Sequence, residues 1–565
     1  MQRLSLLVRP IVAVITLTVV LLFNGPLAGL AAPPLQSDSG ATLRLAMQAP
    51  ATLDPILVSR FDHAARDLVE NLYVGLTRFN PQTQTIEPAL AESWTVSPDG
   101  LTWTFELRQD IAWVRYDNTQ DTVVAVRPVV AGDFVYAIQR ACDPLRPSPL
   151  TANLMAIRGC QTVARAFPEV VNDLFIAREI GVRATGPTTL EIDLLFPTSY
   201  FLTLTSTRDY RPIPREAIAD SGEWAADSPL MTNGPFAVRE RSASRMTLVR
   251  NPHWPEPLPG NVAEVEISFS ATPAQRTTYD WVALDGDELE QAQGSTPDLV
   301  HVAPDAPVLM LGFSHDRAVV DSQAGRQALA LALDREALVR QLFGDHAQAL
   351  TQFTPPGNVA QPEFEGYVFD PARARQALAE AGYENCAGIP EKLLVLVPDE
   401  AEVWTRLGEA VIQQWADHLG CSTQLFEVRP LPRTLLIELS HNTYDVEKVT
   451  RSHIWIATWN ADYPDGMAWI NDALHCRYGY IQPGRECSPV DELLDRAAVA
   501  SEDSARAALL AQAEAGFFGP QGSFPVAPLY VMTRAWLQQS WLTQVNPVGP
   551  ARYDLWVIDT AAQPG

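Results

Sequence analysis

The sequence predicts an α/β protein with a mixed or parallel sheet, and three patterns lead to this prediction. Residues 101–107 alternate apolar and polar side chains strictly, which is typical of a strand with one buried face. Residues 370–382 begin with Asp-Pro and end close to Gly382, the residue types favoured at the two ends of a helix. An apolar run at residues 393–397 leads into helical apolar spacing at residues 404–420, which indicates an α/β unit.

In the first half of the chain, the pattern predicts two helices among several strands. Asp62 is placed to cap the first helix, and the second helix is expected to have its N-cap near Gly132 or Asp133. An Asp54-Pro55 turn ends the first strand. The predicted elements are a strand within residues 40–56, a helix from Asp62 to Tyr73, strands at residues 101–107 and 190–197, and a helix at residues 130–140.

The second half of the chain is richer in helices. Residues 326–344 hold two helical runs that meet at Asp334, a favoured N-cap residue, and Gly344 stands where a C-cap glycine belongs. The remaining predicted elements are helices at residues 370–382 and 404–420 and strands at residues 393–397, 454–458 and 524–531.

Residues 1–31 are predicted to be a secretory signal peptide. Two arginines precede an apolar run at residues 11–23, and Gly29-Leu30-Ala31 supplies small residues for cleavage. That run is about 13 residues, shorter than the roughly 20 that a membrane span needs, although an uncleaved anchor is the alternative. No cysteine precedes Cys142, so the chain is not expected to be a lipoprotein. We expect a periplasmic or extracytoplasmic protein.

The net charge of −26 argues against nucleic acid as a partner, because binding a polyanion requires a basic surface. The six cysteines are an even number, as expected for disulfides in an oxidising compartment. Sequence proximity suggests the pairs Cys142–Cys160, Cys386–Cys421 and Cys476–Cys487 among the possible connectivities. A metal site at His475, Cys476 and Cys487 is the rival interpretation, but its spacing matches no zinc signature.

Motifs of catalysis are not found in the sequence. It contains no Gly-x-Ser-x-Gly, no His-Glu-x-x-His, no phosphate-loop Gly-Lys pair and no Gly-x-Gly-x-x-Gly after a strand. None of the nine histidines stands in a pattern that would activate a nucleophile. We therefore predict a protein that is not an enzyme and needs no cofactor, with an exported hydrolase as the remote alternative.

The most informative segment is Trp459-Asn-Ala-Asp-Tyr-Pro-Asp465, which follows the apolar strand at residues 454–458. A buried strand is expected to bring this segment to the edge of a cleft. There Asp462, between Trp459 and Tyr463, is placed to meet a cation such as an ammonium group in partly dry surroundings. The alternative is that Asp462 is a turn residue that caps backbone N–H groups.

This segment resembles the Trp-x-x-Asp-Tyr motif of the oligopeptide-binding proteins of bacterial ABC importers, the extracellular solute-binding family 5. The resemblance extends from about residue 42 to residue 557. Segments that resemble the family in the same order are residues 97–107, 130–140, 190–197, 233–236, 248–254, 332–335 and 379–383.

The resemblance implies a two-lobed periplasmic-binding-protein-like fold of class II type, with an extra domain in the first lobe. It places the discontinuous lobe I at residues 40–84, 208–306 and 525–565. The accessory domain is residues 85–207, and lobe II is residues 307–524.

The resemblance also implies a substrate-binding receptor that captures oligopeptides between its lobes and delivers them to an inner-membrane ABC permease. Two lobes would close over an extended peptide, held mainly by main-chain hydrogen bonds, and the receptor is expected to be a monomer. Asp462 would bind the ammonium group of the small peptide ligand. The other implied ligand-binding residues are Thr458, Trp459, Asn460 and Tyr463 of lobe II and Ser59, Arg60 and Phe61 of lobe I.

The binding of the ligand carboxylate is less defined by the resemblance. Close relatives have an arginine three residues before the motif's tryptophan, and this chain has Ile456 there. Arg451 and His453 are the candidate substitutes, although a solvated charge in the loop is the favoured interpretation of these residues. This departure keeps other ligands of the family open, namely nickel chelates, oligosaccharides and other amines.

Overall fold

The computed structural model describes residues 40–146, 148–149, 151–219, 224, 230–441, 452–481 and 484–564. The predicted signal peptide and Arg451 lie outside the described residues. None of the helices in this part of the chain combines the length and hydrophobicity that a membrane span requires.

Helices and strands alternate along the described residues. The helices are α1 His63–Leu72, α2 Ala131–Ala141, α3 Cys160–Ala164, α4 Asp173–Glu179, α5 Phe201–Thr205, α6 Gly286–Ser295, α7 Gln323–Leu331, α8 Arg335–Leu342, α9 Pro371–Glu380, α10 Glu402–Leu419, α11 Arg433–His441, α12 Gly466–Leu474, α13 Pro489–Val499 and α14 Asp503–Phe518. The strands of the first half are β1 Ala41–Ala46, β2 Thr77–Asn80, β3 Thr85–Pro88, β4 Ala91–Val96, β5 Thr102–Leu107, β6 Ala112–Asp117, β7 Thr122–Pro128, β8 Val182–Ala184, β9 Thr189–Asp193, β10 Phe236–Arg241, β11 Arg245–Arg250, β12 Val262–Ser268 and β13 Trp281–Leu284. Those of the second half are β14 Val300–Phe313, β15 Ala347–Ala349, β16 Leu393–Pro398, β17 Phe426–Leu431, β18 Ile454–Trp459, β19 Val526–Gln538, β20 Leu542–Thr543 and β21 Val557–Ile558.

Eleven strands form one mixed sheet in the order β10-β11-β12-β1-β13-β19-β14-β18-β16-β17, with β15 added to β19. Near one end, β1 lies parallel to β12 and β13, and near the other, β16 lies parallel to β17 and β18. Antiparallel pairs of β19 with β13 and β14 join these two parallel units. The predicted α/β class with a mixed sheet is confirmed.

The pairing of β14 with β19 has two parts. Residues 300–304 of β14 pair with the second half of β19, at residues 533–537. After a register shift between Pro304 and Val308, residues 308–312 pair with the first half of β19, at residues 526–531. Both strands therefore run through both halves of the sheet. The lobe boundaries stay predictions.

The region between β3 and β10 forms small sheets of its own. Strands β4, β5, β9 and β8 make a four-stranded sheet in that order, and β6 pairs with β7. Trp103 and Trp113 are buried there, and the Trp113 indole donates a hydrogen bond of 2.9 Å to Asp133. These tryptophans belong to the core rather than to an exposed aromatic platform.

Three predicted helix caps are confirmed. Asp62 accepts a hydrogen bond from the backbone N–H of Ala65, Asp334 accepts one from Ala337 and Asp370 accepts one from Arg373, each at 2.9 Å. Side-chain caps of this kind satisfy backbone donors that the helix leaves unpaired.

The N-cap of α2 is not at Gly132 or Asp133, so that prediction was wrong. The helix begins at Ala131 after Val130 in extended conformation. Asp133 stands at the third helical position, where its carboxylate accepts hydrogen bonds from the Val130 N–H at 3.1 Å and the Trp113 indole. An acidic side chain at the third helical position can accept a hydrogen bond from the backbone N–H of the N-cap residue, as in a capping box.

The structure forms the three disulfides that sequence proximity suggests, Cys142–Cys160, Cys386–Cys421 and Cys476–Cys487. His475, Cys476 and Asp491 lie together, but the sulfur of Cys476 is bonded to Cys487 and cannot act as a thiolate ligand. Asp491 is paired with Arg485.

A buried ion pair joins the turn before α1 to helix α2. Arg140 Nη2 lies 2.6 Å from Asp54 Oδ2, and their side chains are 5% and 2% exposed. Removing one partner leaves a buried charge without compensation.

We predict that Asp54→Ala lowers the free energy of unfolding by about 3 kcal/mol or more. Chemical denaturation measures this change. The control is Asp110→Ala, which removes an exposed partner of Arg108 and should cost less than about 1 kcal/mol. Equal losses in the two variants would contradict the prediction.

Candidate functional site

The segment after β18 leaves the sheet and enters a turn before α12. Residues 454–457 are buried, whereas Thr458 and Trp459 are half-buried at the end of the strand. Asp465 is the N-cap of α12 and accepts a hydrogen bond from the Met467 N–H at 2.9 Å. Within the described hydrogen bonds, Asp462 accepts no backbone N–H. The capping role considered for Asp462 is therefore carried by Asp465.

This segment forms one wall of a cavity of about 1130 Å³. Residues from the first half of the chain, including Tyr200 and Leu204, form the opposite wall. Seven of the nine predicted ligand-binding residues line this cavity, namely Arg60, Phe61, Thr458, Trp459, Asn460, Asp462 and Tyr463. The fold thus brings together two segments that are far apart in sequence.

An ion pair crosses the cavity between Arg60 and Asp462. Arg60 Nη1 lies 2.8 Å from Asp462 Oδ1, and Nη2 donates to Oδ2 at 3.3 Å. Arg60 Nη1 also donates to the carbonyl of Asn460 at 3.3 Å. The side chains are 28% and 15% exposed, so water screens the pair only partly. Both residues were predicted as site residues, but their pairing was not.

Burial raises the pKa of the Asp462 carboxyl above its ordinary value, and the positive charges of Arg60 and Arg208 lower it in part. Arg208 lies behind the cavity wall, where its Nε donates to the carbonyl of Val58 at 3.2 Å. Burial also lowers the pKa of the Arg208 guanidinium to about 10. Asp462 is therefore a carboxylate in a partly dry environment with a cation on either side.

Aromatic contacts fix the orientation of the motif. The ring of Tyr463 stacks on Tyr200 with 5.4 Å between centroids and 5° between planes, and its hydroxyl donates to Asp472 at 2.7 Å. The Trp459 indole donates to the carbonyl of Ala468 at 2.9 Å. Tyr463 and Trp459 are thus held by both stacking and hydrogen bonds. Burial raises the pKa of Asp472 to about 6.

Residues 58–61 form a turn rather than a strand edge. The carbonyl of Ser59 accepts a hydrogen bond from the Asp62 N–H at 3.2 Å, and the carbonyl of Val58 accepts one from Arg208 Nε. Ser59 lines a neighbouring cavity of about 780 Å³ instead of the large one. Phe61 is 67% exposed and borders both cavities. This wall offers the large cavity the side chains of Arg60 and Phe61.

The wall that contains Asp462 also contains an edge of strand β18 that the described strands leave unpaired. Strand β16 pairs with β18 only at Ile454 and Trp455. From Ile456 to Trp459, β18 pairs with β14 alone. The backbone groups on the other edge of residues 456–459 face away from β14 and beside the cavity, so an extended ligand can pair with them.

His453 is neither a ligand-binding residue of this cavity nor a solvated loop charge. Its side chain is 1% exposed, its Nδ1 accepts the Leu394 N–H at 3.1 Å, and its Nε2 lies 3.2 Å from Glu391 Oε1. It is absent from the lining of the cavity, and Arg451 lies outside the described residues. Ile456 does line the cavity.

Two further arginines, Arg165 and Arg433, line the cavity and were missed at the sequence level. Arg433 Nη1 donates to the Thr458 hydroxyl at 3.4 Å. Each arginine lies on a segment without a recognisable motif. No local signal could have identified either one, because their position depends on how distant elements pack.

Within the described residues, the lining of the cavity includes no serine, cysteine or histidine that could act as a nucleophile or its base. It offers charged, aromatic and backbone groups, which can bind a ligand. The geometry defines the class of the protein as a two-walled α/β solute-binding protein.

The protein belongs to the bacterial extracellular solute-binding proteins, family 5, whose model for the middle of the chain matches residues 85–480. Members of this family are solute receptors of ABC importers and are not enzymes.

Known proteins with similar sequences or folds agree with this assignment. The periplasmic oligopeptide-binding protein OppA of Escherichia coli K12 is 26% identical over 497 residues, 85% of this chain and 84% of that protein. The probable deoxycholate-binding periplasmic protein YgiS of Escherichia coli K12 is 24% identical over 534 residues, 88% and 91% of the two chains. The periplasmic murein tripeptide-binding protein MppA, in its unliganded open form, superposes with a TM-score of 0.75 at 23% identity. That match covers 92% of this chain and 96% of the other, and it shows the periplasmic-binding-protein fold.

We predict that Arg60→Gln raises the pKa of Asp462 further, because the variant loses the positive charge that stabilises the carboxylate. The measurement is an NMR titration of ¹³C-labelled aspartate carboxyls, with the Asp462 signal assigned by its loss in Asp462→Asn. The control Arg66→Gln removes a charge that contacts the Arg60 carbonyl but does not pair with Asp462. An unchanged or lower pKa in Arg60→Gln would contradict the assigned ion pair.

Proposed function

We propose that the protein captures oligopeptides in the large cavity and delivers them to the permease of an ABC importer. The observation that carries this proposal is the partly buried Asp462 carboxylate beside the unpaired edge of β18. A peptide supplies an ammonium group for the first and a main chain for the second. The permease, the monomeric state and the export of the chain belong to this proposal. Relatives named as periplasmic support the export.

Asp462 would bind the ammonium group of the peptide. A carboxylate can accept about four hydrogen bonds, and Arg60 uses only part of this capacity. Asp462 Oδ1 receives no hydrogen bond of good geometry, although Arg60 lies near it. An ammonium group would therefore find unused acceptor positions, and it would compete with Arg60 for the rest.

The main chain of the peptide would lie along residues 456–459 as an added strand. This form of recognition relies on backbone hydrogen bonds and accepts many side chains. The cavity volume of about 1130 Å³ is slightly above that of small-molecule sites, roughly 300–1,000 Å³, and leaves room for several residues. Phe61 and Trp459 would flank the ligand from the two walls.

An amphipathic non-peptide solute is the second candidate. Met155, Leu309 and Ile437 give part of the cavity an apolar lining, and Arg433 could bind a carboxylate beside it. A relative named as a probable deoxycholate-binding protein shows a similar sequence.

Native mass spectrometry of the protein purified without denaturation tests the proposal. We expect a spread of bound masses that disappears on unfolding and consists of short peptides. Detection of a single bound compound that is amphipathic and not a peptide would favour the second candidate over peptides. A protein free of bound mass that also ignores a peptide library would contradict peptide capture.

We predict that Asp462→Asn weakens binding of a peptide with a free amino terminus at least tenfold, or about 1.4 kcal/mol, because the ammonium loses its charged partner. Isothermal titration calorimetry measures the affinity, and the melting temperature should hardly change. The same peptide with an acetylated amino terminus is the matched control, since it should bind the wild type and the variant equally. Equal affinity of the free peptide for both proteins would remove Asp462 from the site.

A further inference from the structure

Three arginines among the described residues line the large cavity, and they differ in their surroundings. Arg60 is committed to Asp462. Arg165 directly follows α3, on the wall formed by the first half of the chain, and is exposed. Arg433 begins α11, beside the strand edge that residues 456–459 leave unpaired. Only Arg433 combines a position next to this edge with a direct contact to it.

The guanidinium of Arg433 is oriented by an acidic residue. Its Nε and Nη2 donate to Glu400 Oε1 and Oε2, both at 2.7 Å, in a two-pronged pair. Such a pair fixes the plane of the guanidinium. The third nitrogen, Nη1, therefore points to Thr458 and lies 3.4 Å from its hydroxyl. A guanidinium carries five N–H groups, so donors remain after these contacts.

We propose that Arg433 Nη1 and the Thr458 hydroxyl bind the carboxylate at the far end of the ligand. This inference rests on the proposed peptide function, since the ligand needs both an ammonium group at Asp462 and a carboxylate. Glu400 is 44% exposed, so water screens its repulsion of a second carboxylate. Arg433 thus takes the place for which Arg451 and His453 were considered.

The geometry also limits the length of the ligand. The segment from Thr458 to Asp462 spans at most about 13 Å when extended, at roughly 3.3 Å per residue. A peptide that runs antiparallel to β18 from Asp462 to Thr458 covers this distance with about three or four residues. Because this distance is an upper limit, a peptide of at most about four residues is sufficient to reach from Asp462 to Thr458.

The test compares trialanine with trialanine amide by isothermal titration calorimetry. The amide lacks the negative charge, so we expect it to bind the wild type at least about tenfold more weakly. In Arg433→Gln, trialanine should bind as weakly as the amide, and the two affinities should be equal. Thr458→Val removes only the hydroxyl and should reduce the ratio without abolishing it.

Two control variants separate this assignment from its alternatives. Arg429→Gln disrupts an exposed Arg–Glu pair with Glu427 on β17 and should keep the wild-type ratio. Arg165→Gln removes the cavity arginine that lies away from β18 and should keep it as well. Melting curves confirm that each variant is folded.

A tenfold ratio that persists in Arg433→Gln, or that disappears in Arg165→Gln alone, would overturn the inference and leave the proposed peptide function intact. A wild type that binds neither trialanine nor its amide, nor any member of a peptide library, would overturn the proposed function, and the inference would fall with it.

Discussion

The pairing of β14 with β19 is the constraint on which the rest of the structure depends. These two strands lie at the centre of the large sheet, and each runs through both of its halves. On one side β14 pairs with β18, which carries the wall with Asp462. On the other side β19 leads through β13 to β1, the strand that precedes the turn with Arg60. A slip of one residue in this pairing would turn every side chain of the pair to the opposite face.

The register shift between Pro304 and Val308 gives this central pair a defined interruption. A second register shift follows between Leu309 and Met310. The cavity with Arg60 and Asp462 is bounded by elements that depend on opposite sides of the first shift.

The Arg60–Asp462 pair gives the cavity its electrostatic character. A partly buried ion pair gains from low screening and loses the hydration of both charges, so its net stabilisation is small compared with the cost of leaving one partner alone. A ligand cation that reaches Asp462 must therefore share or replace Arg60. The affinity of the site depends on the difference between these two arrangements rather than on Asp462 alone.

Sequence reasoning was most successful where the governing interaction is local. Asp62 and Asp370 cap helices through backbone groups three residues away, so a short window contains the whole signal. The motif at residues 459–465 likewise carries its own aromatic and acidic residues. Local patterns were ambiguous where two acids compete for one role, as with Asp462 and Asp465, because both stand near the start of α12.

The amino-acid sequence by itself predicted the α/β class, several helix ends and the disulfide pairs, and its resemblance to the family implied seven of the residues that line the cavity. Only the tertiary structure decided that Arg60 pairs with Asp462 across 402 positions, that Ser59 faces a different cavity, and that Arg433 contacts Thr458. The reason is physical. Caps and strand alternation depend on neighbours in sequence, whereas an ion pair depends on where the packing of the whole sheet brings two distant side chains.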